Sequence, residues 1–139
     1  MTLPDLIRVD ARAGAAEGSL RVDTDASYLK DHFPGAPMLP GLLMLEVAVR
    51  AAAALWTMLE PQPMAGAVLD HLERLQVVRR VTPGETLVVS ARAIGGTEEK
   101  GGKWFAAVGS VGDETAVRAR FRLRAVQPEE SSNGGHQSE

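Results

Sequence analysis

The sequence predicts an α+β fold in which an antiparallel sheet curls around one long central helix. Three observations lead to this fold class. One apolar segment, Gly41 to Leu59, has the length and composition of a buried helix. Segments of strand composition follow it with short turns between them, as in an antiparallel sheet. The last of these segments alternates apolar and charged residues, so it has one face for a core and one for solvent. A single buried helix needs a covering layer, and the simplest arrangement wraps the sheet around it.

The helix itself is predicted from composition and from its flanking prolines. Residues 41–59 contain four successive alanines, several leucines and methionines, and few β-branched residues, which favours helix. Pro40 suits the first turn, where its missing N–H costs nothing, and Pro61 stops the helix after Glu60. Because nearly every direction around this helix is apolar, we expect it to be buried on most of its faces.

Five segments have strand character. One precedes the helix and four follow it: residues 17–25, 66–78, 82–94, 103–111 and 115–126. Pro83-Gly84 and Gly112-Asp113 mark turns, and a glycine-rich connector spans residues 95–102. The last strand places Val117, Ala119, Phe121 and Leu123 on one face and Arg118, Arg120, Arg122 and Arg124 on the other. We interpret the arginine face as solvated, with docking of an acidic protein partner as the alternative.

The chain of 139 residues has the size of one domain, which we predict to span residues 1–126, followed by a disordered polar tail at residues 127–139. There is no cysteine, which excludes disulfides and thiolate metal sites. The net charge of −3 does not suggest nucleic-acid binding. The N-terminus lacks the basic start and apolar run of a signal peptide, and Glu46 and Arg50 interrupt the apolar segment. A soluble cytoplasmic domain without a membrane partner is expected.

The stretch Asp31 to Arg50, DHFPGAPMLPGLLMLEVAVR, carries the clearest functional pattern. It resembles the signature of the bacterial 3-hydroxyacyl-(acyl carrier protein) dehydratases, the FabZ-type and FabA-type enzymes of the hotdog fold. The later VVRRVTPGETL is also similar to that family, so the resemblance covers about Leu20 to Leu123. The matching positions are His32, Phe33, Gly35, Pro37, Pro40, Gly41 and Glu46.

The resemblance implies a hotdog fold, usually a dimer, and a site in which the histidine of one subunit meets the acid of the other. The implied catalytic residues are His32, as the base that takes a proton from C2, and Glu46, as the acid or the group that orients the departing water. Neutral imidazole accepts a proton near pH 7, and unpaired N–H groups at the helix N-terminus can bind the thioester carbonyl. The implied substrate-binding residues are Phe33, Gly35, Pro40, Gly41, Leu42 and Arg50.

Two positions depart from the family pattern. Ala36 stands where the family commonly has His or Asp, and Arg50 stands where it commonly has Gln. The first removes a polar group near the site. The second puts a fixed cation one helical turn from Glu46, within reach of its carboxylate.

The sequence therefore predicts a dehydratase that removes water from a 3-hydroxyacyl thioester carried on acyl carrier protein, or on coenzyme A, as a homodimer or a trimer of dimers. Two alternatives stay open. One is a hotdog thioesterase, and the other is a catalytically weakened acyl-binding or partner subunit, made plausible by Ala36 and Arg50. No phosphate-binding loop, dinucleotide fingerprint or zinc-ligand spacing occurs in the sequence, so neither a cofactor nor a metal is implied.

Overall fold

The computed structural model describes residues 4–23, 38–94 and 101–128. These residues form one α-helix and six β-strands. In chain order the elements are β1 (Leu6–Asp10), β2 (Ala15–Arg21), α1 (Gly41–Leu59), β3 (Gly66–Val77), β4 (Thr86–Ala93), β5 (Gly102–Val111) and β6 (Glu114–Val126). The predicted tail lies outside the described residues from position 129 onward, so its disorder stays a prediction.

The strands form a single antiparallel sheet in the order β1-β2-β4-β5-β6-β3, and α1 packs against it. The predicted α+β class, with one helix against an antiparallel sheet, is therefore confirmed. The sequence analysis did not predict β1, which is only five residues long and alternates between exposed and half-buried positions. Its strand character comes from pairing with β2 at the sheet edge rather than from an apolar run.

The helix begins and ends where its prolines indicate. Pro40 is the N-cap residue, one position before the first helical residue rather than inside the first turn. At the other end the Glu60 N–H donates to the Trp56 carbonyl at 2.9 Å, and Pro61 follows directly. Within the described part of the chain no side chain caps the N-terminus, and no acidic residue lies in the first turn.

The core lies between α1 and the inward face of the sheet. The Phe105 and Phe121 rings stack with centroids 6.1 Å apart, and Trp56 of the helix tilts against Phe105 at 6.2 Å. At β2 the helix approaches the sheet so closely that a Cβ on Gly18 would lie 3.0 Å from a methyl group of Val47. Glycine is therefore the residue that fits this crossing.

The described residues leave one face of α1 and its last turn uncovered, while most of its other residues are buried or half-buried, as expected. Leu42 is 71% exposed, and Glu46 and Arg50 lie on the same face one and two turns further along. The helix is long and apolar enough to cross a bilayer, but its opposite face packs on the sheet. It is the core helix of this fold, and its apolarity is not evidence of a membrane span.

Strand β3 forms the edge of the sheet next to β6 and contains two irregularities. The register shifts between Leu69 and His71 and again between Leu72 and Arg74, so Asp70 and Glu73 are the extra residues of two bulges. On β6 the alternation predicted from sequence is confirmed, because Val117, Ala119, Phe121 and Leu123 are buried.

Candidate active site

The N-terminus of α1 forms one wall of the candidate site. The Pro40 carbonyl accepts hydrogen bonds from the N–H groups of Leu43 at 3.0 Å and Met44 at 3.3 Å, so the helix ladder starts there. The N–H groups of Gly41 and Leu42 precede this ladder and have no intrahelical acceptor. They carry the positive end of the helix dipole, which suits an oxygen that gains negative charge.

Gly41 has a packing role that the sequence did not reveal. A Cβ at this position would lie 3.1 Å from a methyl carbon of Val77, near the end of β3. That distance is tighter than an ordinary van der Waals contact, so a side chain at position 41 would push the helix start away from the sheet. The close approach of an acyl chain, inferred from the sequence, stays a prediction.

Glu46 lies on the open face of α1, about 7.5 Å along the axis from Gly41 at 1.5 Å per residue. Its Oε2 accepts a hydrogen bond from Nε of Arg50 at 2.6 Å. The Glu46 side chain is 39% exposed and that of Arg50 is 54% exposed. The contact expected from the four-residue spacing is therefore present, in a setting that solvent reaches.

A groove of about 420 Å³ opens between α1 and β3 beside Glu46. Among the described residues that line it, Glu46 is the one that carries a charge, and the rest are aliphatic. The lining residues are Leu42, Leu45, Glu46 and Val49 from the helix and Ala67, Val68 and Leu69 from the strand. An aliphatic groove with one carboxylate in its wall suits an acyl chain with a polar reacting end.

Five of the residues singled out from the sequence lie outside the described ranges: His32, Phe33, Gly35, Ala36 and Pro37. The described site therefore brings together Pro40, Gly41, Leu42, Glu46 and Arg50 on one helix. The meeting of His32 with Glu46 stays a prediction.

The segment between β3 and β4 contains an ion-pair cluster that the sequence analysis missed. The terminal nitrogens Nη1 and Nη2 of Arg79 donate to the Glu85 carboxylate, at 2.9 and 2.8 Å. The Nε of Arg79 donates to Glu114 at 2.7 Å. The hydrogen bonds from Arg79 and from the backbone N–H of Thr82 lower the pKa of Glu85 from 4.5 to about 2. The two carboxylates raise the pKa of Arg79. The only sequence signal was the pair of arginines before Thr-Pro-Gly-Glu.

The arginine face of β6 is partly neutralised by β3. Arg120 pairs with Glu73 at 3.4 Å and Arg122 with Asp70 at 2.5 Å, so the two bulge residues of β3 supply the acids. Arg118 and Arg124 are exposed. The Arg122 side chain is only 25% exposed, so the face is solvated in part, and part of its charge is balanced within the chain.

His71 lies on β3, and its ring makes an edge-to-face contact with the Trp104 ring, with the centroids 5.6 Å apart. Within residues 4–23, 38–94 and 101–128, no three His, Asp or Glu side chains come together as metal ligands would.

The fold and this groove define the molecule as a hotdog-fold protein with a carboxylate on its central helix. The model of the ApeI-like family, described as ApeI dehydratase, matches residues 8–130. The chain belongs to this family.

Curated relatives carry a related name. The 3-hydroxyacyl-[acyl-carrier-protein] dehydratase FabZ of Ralstonia nicotianae is 35% identical over 109 residues, which are 75% of this chain and 63% of the relative. The enzyme of the same name from Verminephrobacter eiseniae is 33% identical over 122 residues, covering 79% of this chain and 76% of the relative. The chain thus spans somewhat less than two thirds of the Ralstonia protein.

Solved structures show the same fold. The dehydratase heterocomplex ApeI:P from Xenorhabdus doucetiae superposes with a TM-score of 0.58 at 24% identity, covering 80% of this chain and 88% of that one. An uncharacterized protein from Pyrococcus horikoshii gives a TM-score of 0.62 at 20% identity, covering 88% and 81%. At these identities the likeness concerns the fold.

Proposed function

We propose that the protein is a dehydratase that removes water from a 3-hydroxyacyl thioester to give a trans-2-enoyl thioester, in fatty-acid or polyketide-type synthesis. The observation that carries the proposal is Glu46, which projects from the second turn of α1 into the wall of an aliphatic groove. Membership of a dehydratase family supports the same reaction.

The chemistry assigns each group one task. His32 takes the C2 proton as general base, and the C2–H electron pair forms the C2–C3 double bond. The C3–O bond breaks, and Glu46 in its protonated form gives a proton to the leaving hydroxyl, so that water departs. The N–H groups of Gly41 and Leu42 hold the thioester oxygen as charge develops on it.

The proposal includes a second copy of the chain, whose His32 faces Glu46 across the interface. The inward face of β3 supports this. Leu69, Leu72 and Val77 oppose buried residues of β6 in the sheet register, yet they are 41%, 38% and 44% exposed. Since these side chains point to the core side of the sheet, one chain leaves part of its core uncovered. A partner copy at this edge would cover it.

We propose acyl carrier protein as the carrier of the substrate and the cytoplasm as the location. The names of the curated relatives support the carrier, and coenzyme A is the alternative that the assay decides.

The test offers the protein one 3-hydroxyacyl group on acyl carrier protein and, separately, on coenzyme A, and follows each thioester by mass spectrometry. The proposal predicts loss of water with the thioester intact. Replacing His32 by Ala or Glu46 by Gln should lower turnover by a factor on the order of 10² to 10⁴. Release of free acid would instead identify a thioesterase, and near-wild-type dehydration by either variant would remove that residue from the mechanism.

A second candidate is a catalytically weakened acyl-binding or partner subunit. The observation that favours it is the 2.6 Å pair between Glu46 and Arg50, because a carboxylate oxygen bound to a guanidinium is not free to meet the leaving hydroxyl. Acyl-thioester binding without loss of water would support this candidate over the enzyme.

A further inference from the structure

The segment that joins β3 to β4 (residues 78–85) makes backbone hydrogen bonds to two residues that lie far from it in the sequence, Val22 and Leu39. Val22, just beyond β2, donates its N–H to the Glu85 carbonyl at 2.9 Å, and its own carbonyl accepts from the Gly84 N–H at 2.7 Å. Leu39, just before α1, donates its N–H to the Val81 carbonyl at 2.8 Å. One short segment therefore binds the chain both after β2 and before the helix.

These two points bracket the part of the chain that carries His32. Residues 24–37 begin two positions after Val22 and end two positions before Leu39, and α1 starts two positions after Leu39. Val22 and Val81 are fully buried and Leu39 is 1% exposed, so all three are held in the core. The β3–β4 segment thus fixes where this part of the chain starts, where it ends and where the helix begins.

The segment is itself held in shape by Arg79 and Glu85. Residues Thr82 to Glu85 form a tight turn, with the Glu85 N–H on the Thr82 carbonyl at 3.1 Å and Gly84 at a φ of 93°. The Glu85 carboxylate closes the turn by accepting hydrogen bonds from the Thr82 N–H at 3.0 Å and from Nη1 and Nη2 of Arg79. Arg79 also donates to the Arg80 carbonyl at 2.8 Å. The pair therefore ties together both sides of Val81, the residue that holds Leu39.

We propose that Arg79 and Glu85 are positioning residues for the dehydration site, and that they act by fixing Val22 and Leu39. This inference rests on the function proposed above. Neither side chain lines the Glu46 groove, so we infer that their effect passes through the backbone hydrogen bonds of the turn. A displacement of about 1 Å in a catalytic group is enough to cost on the order of a hundredfold in rate, so a loosened turn should lower turnover.

The test compares two carboxylates that bind the same guanidinium. Glu85→Gln removes the charge that closes the turn, whereas Glu114→Gln removes a charge from Arg79 and leaves the hydrogen bonds of the Thr82–Glu85 turn in place. A second pair compares Arg79→Met with Arg79→Lys. Arg79→Met removes the positive charge, whereas Arg79→Lys keeps the charge and loses the two parallel hydrogen bonds to Glu85. The substrate is a small soluble 3-hydroxyacyl thioester, so that carrier binding plays no part.

Two readouts are measured: kcat and KM, and the exchange rates of the Val22 and Leu39 amide protons by NMR. Glu85→Gln and Arg79→Met are expected to lower kcat about tenfold or more with little change in KM. The same variants should speed exchange at Val22 and Leu39, while the amides of Ala91 and Ala107 in β4 and β5 keep their protection. Arg79→Lys should restore part of both, and Glu114→Gln should resemble the wild type.

Unchanged exchange at Val22 and Leu39 in Glu85→Gln would overturn the proposal, and so would faster exchange throughout the sheet, which marks a general loss of stability. Normal kcat with faster exchange at the two amides would also overturn it, because the turn would then have no bearing on catalysis. A wild-type protein that removes no water refutes the proposed function instead. In that case the exchange rates alone decide whether Arg79 and Glu85 fix the positions of Val22 and Leu39.

Discussion

At the scale of single residues, Glu46 and Arg50 form the most informative pair in the chain. The sequence alone indicated that they could meet, because a spacing of four residues places two side chains on one helix face. The structure adds the contact of 2.6 Å and the partial exposure of both groups. In such a partly solvated setting an ion pair contributes little to stability, so its main consequence is that Arg50 occupies one oxygen of the Glu46 carboxylate.

Replacing Arg50 by Gln is expected to raise the rate of dehydration. The physical reason is that the guanidinium holds Oε2 of Glu46 at 2.6 Å and competes with the leaving hydroxyl for this carboxyl group. The measurement is kcat against pH for wild type and variant on one small thioester. Arg92→Gln, which removes an exposed arginine from β4, serves as the control.

Either of two results would contradict this interpretation. An unchanged kcat with altered KM would mean that Arg50 contacts substrate rather than occupying the Glu46 carboxylate. A variant slower at every pH, with normal fold and binding, would make Arg50 a positive contributor to catalysis.

At the scale of elements, the Arg79–Glu85 pair predicts a defined acid sensitivity. Since the pKa of Glu85 is lowered in the folded state to about 2, its stabilisation is fully present above the ordinary value of 4.5 and is lost as pH falls toward 2. We therefore expect the wild type to be more stable than Glu85→Gln at neutral pH, and the difference to shrink between about pH 4.5 and pH 2. Urea unfolding of both proteins at several pH values measures it. A difference that stays constant across this range would contradict the role given to the ion pair.

The arginine face of β6 yields a prediction about the carrier. Reversing the charge of Arg120 and Arg122 should weaken binding of acyl carrier protein with little effect on turnover of a small thioester. Each of these residues already has an acidic partner on β3, so any docking must compete with those pairs. Arg8→Glu with Arg12→Glu, the same charge change near the opposite sheet edge, is the control. Equal effects on both substrates, or on neither, would leave this face with only its solvated role.

Most elements were predictable because their residue pattern reflects burial directly. The helix boundaries followed from Pro40 and Pro61, and the faces of β6 followed from strict alternation. Strand β1 was missed because its pairing with β2, rather than its composition, makes it a strand. The open face of α1 was missed because apolar residues look alike whether they face a sheet or a surface.

Within the candidate site, sequence reasoning identified the helix residues but not the groups that hold them. Glu46 and Gly41 were found through their register in a motif. Val77 behind Gly41, and Val81 behind Leu39, are ordinary valines in sequence. Their roles arise from contacts across the fold that no local pattern contains.

At the scale of the whole molecule, the groove beside Glu46 and the exposed inward side chains of β3 lie together at one edge of the sheet. These two features support the proposal that the site is completed by a second copy of the chain, whose His32 joins the first chain's Glu46.

Subunit mixing tests this claim most directly. His32→Ala and Glu46→Gln proteins are each prepared, mixed, allowed to exchange subunits, and assayed for loss of water from a 3-hydroxyacyl thioester. Each variant taken through the same procedure alone should stay inactive. Random exchange makes half of the dimers mixed. Each mixed dimer has one intact site and one inactive site, so we expect about one quarter of the wild-type activity. Mixed dimers that are demonstrated by mass spectrometry and yet remain inactive would contradict it.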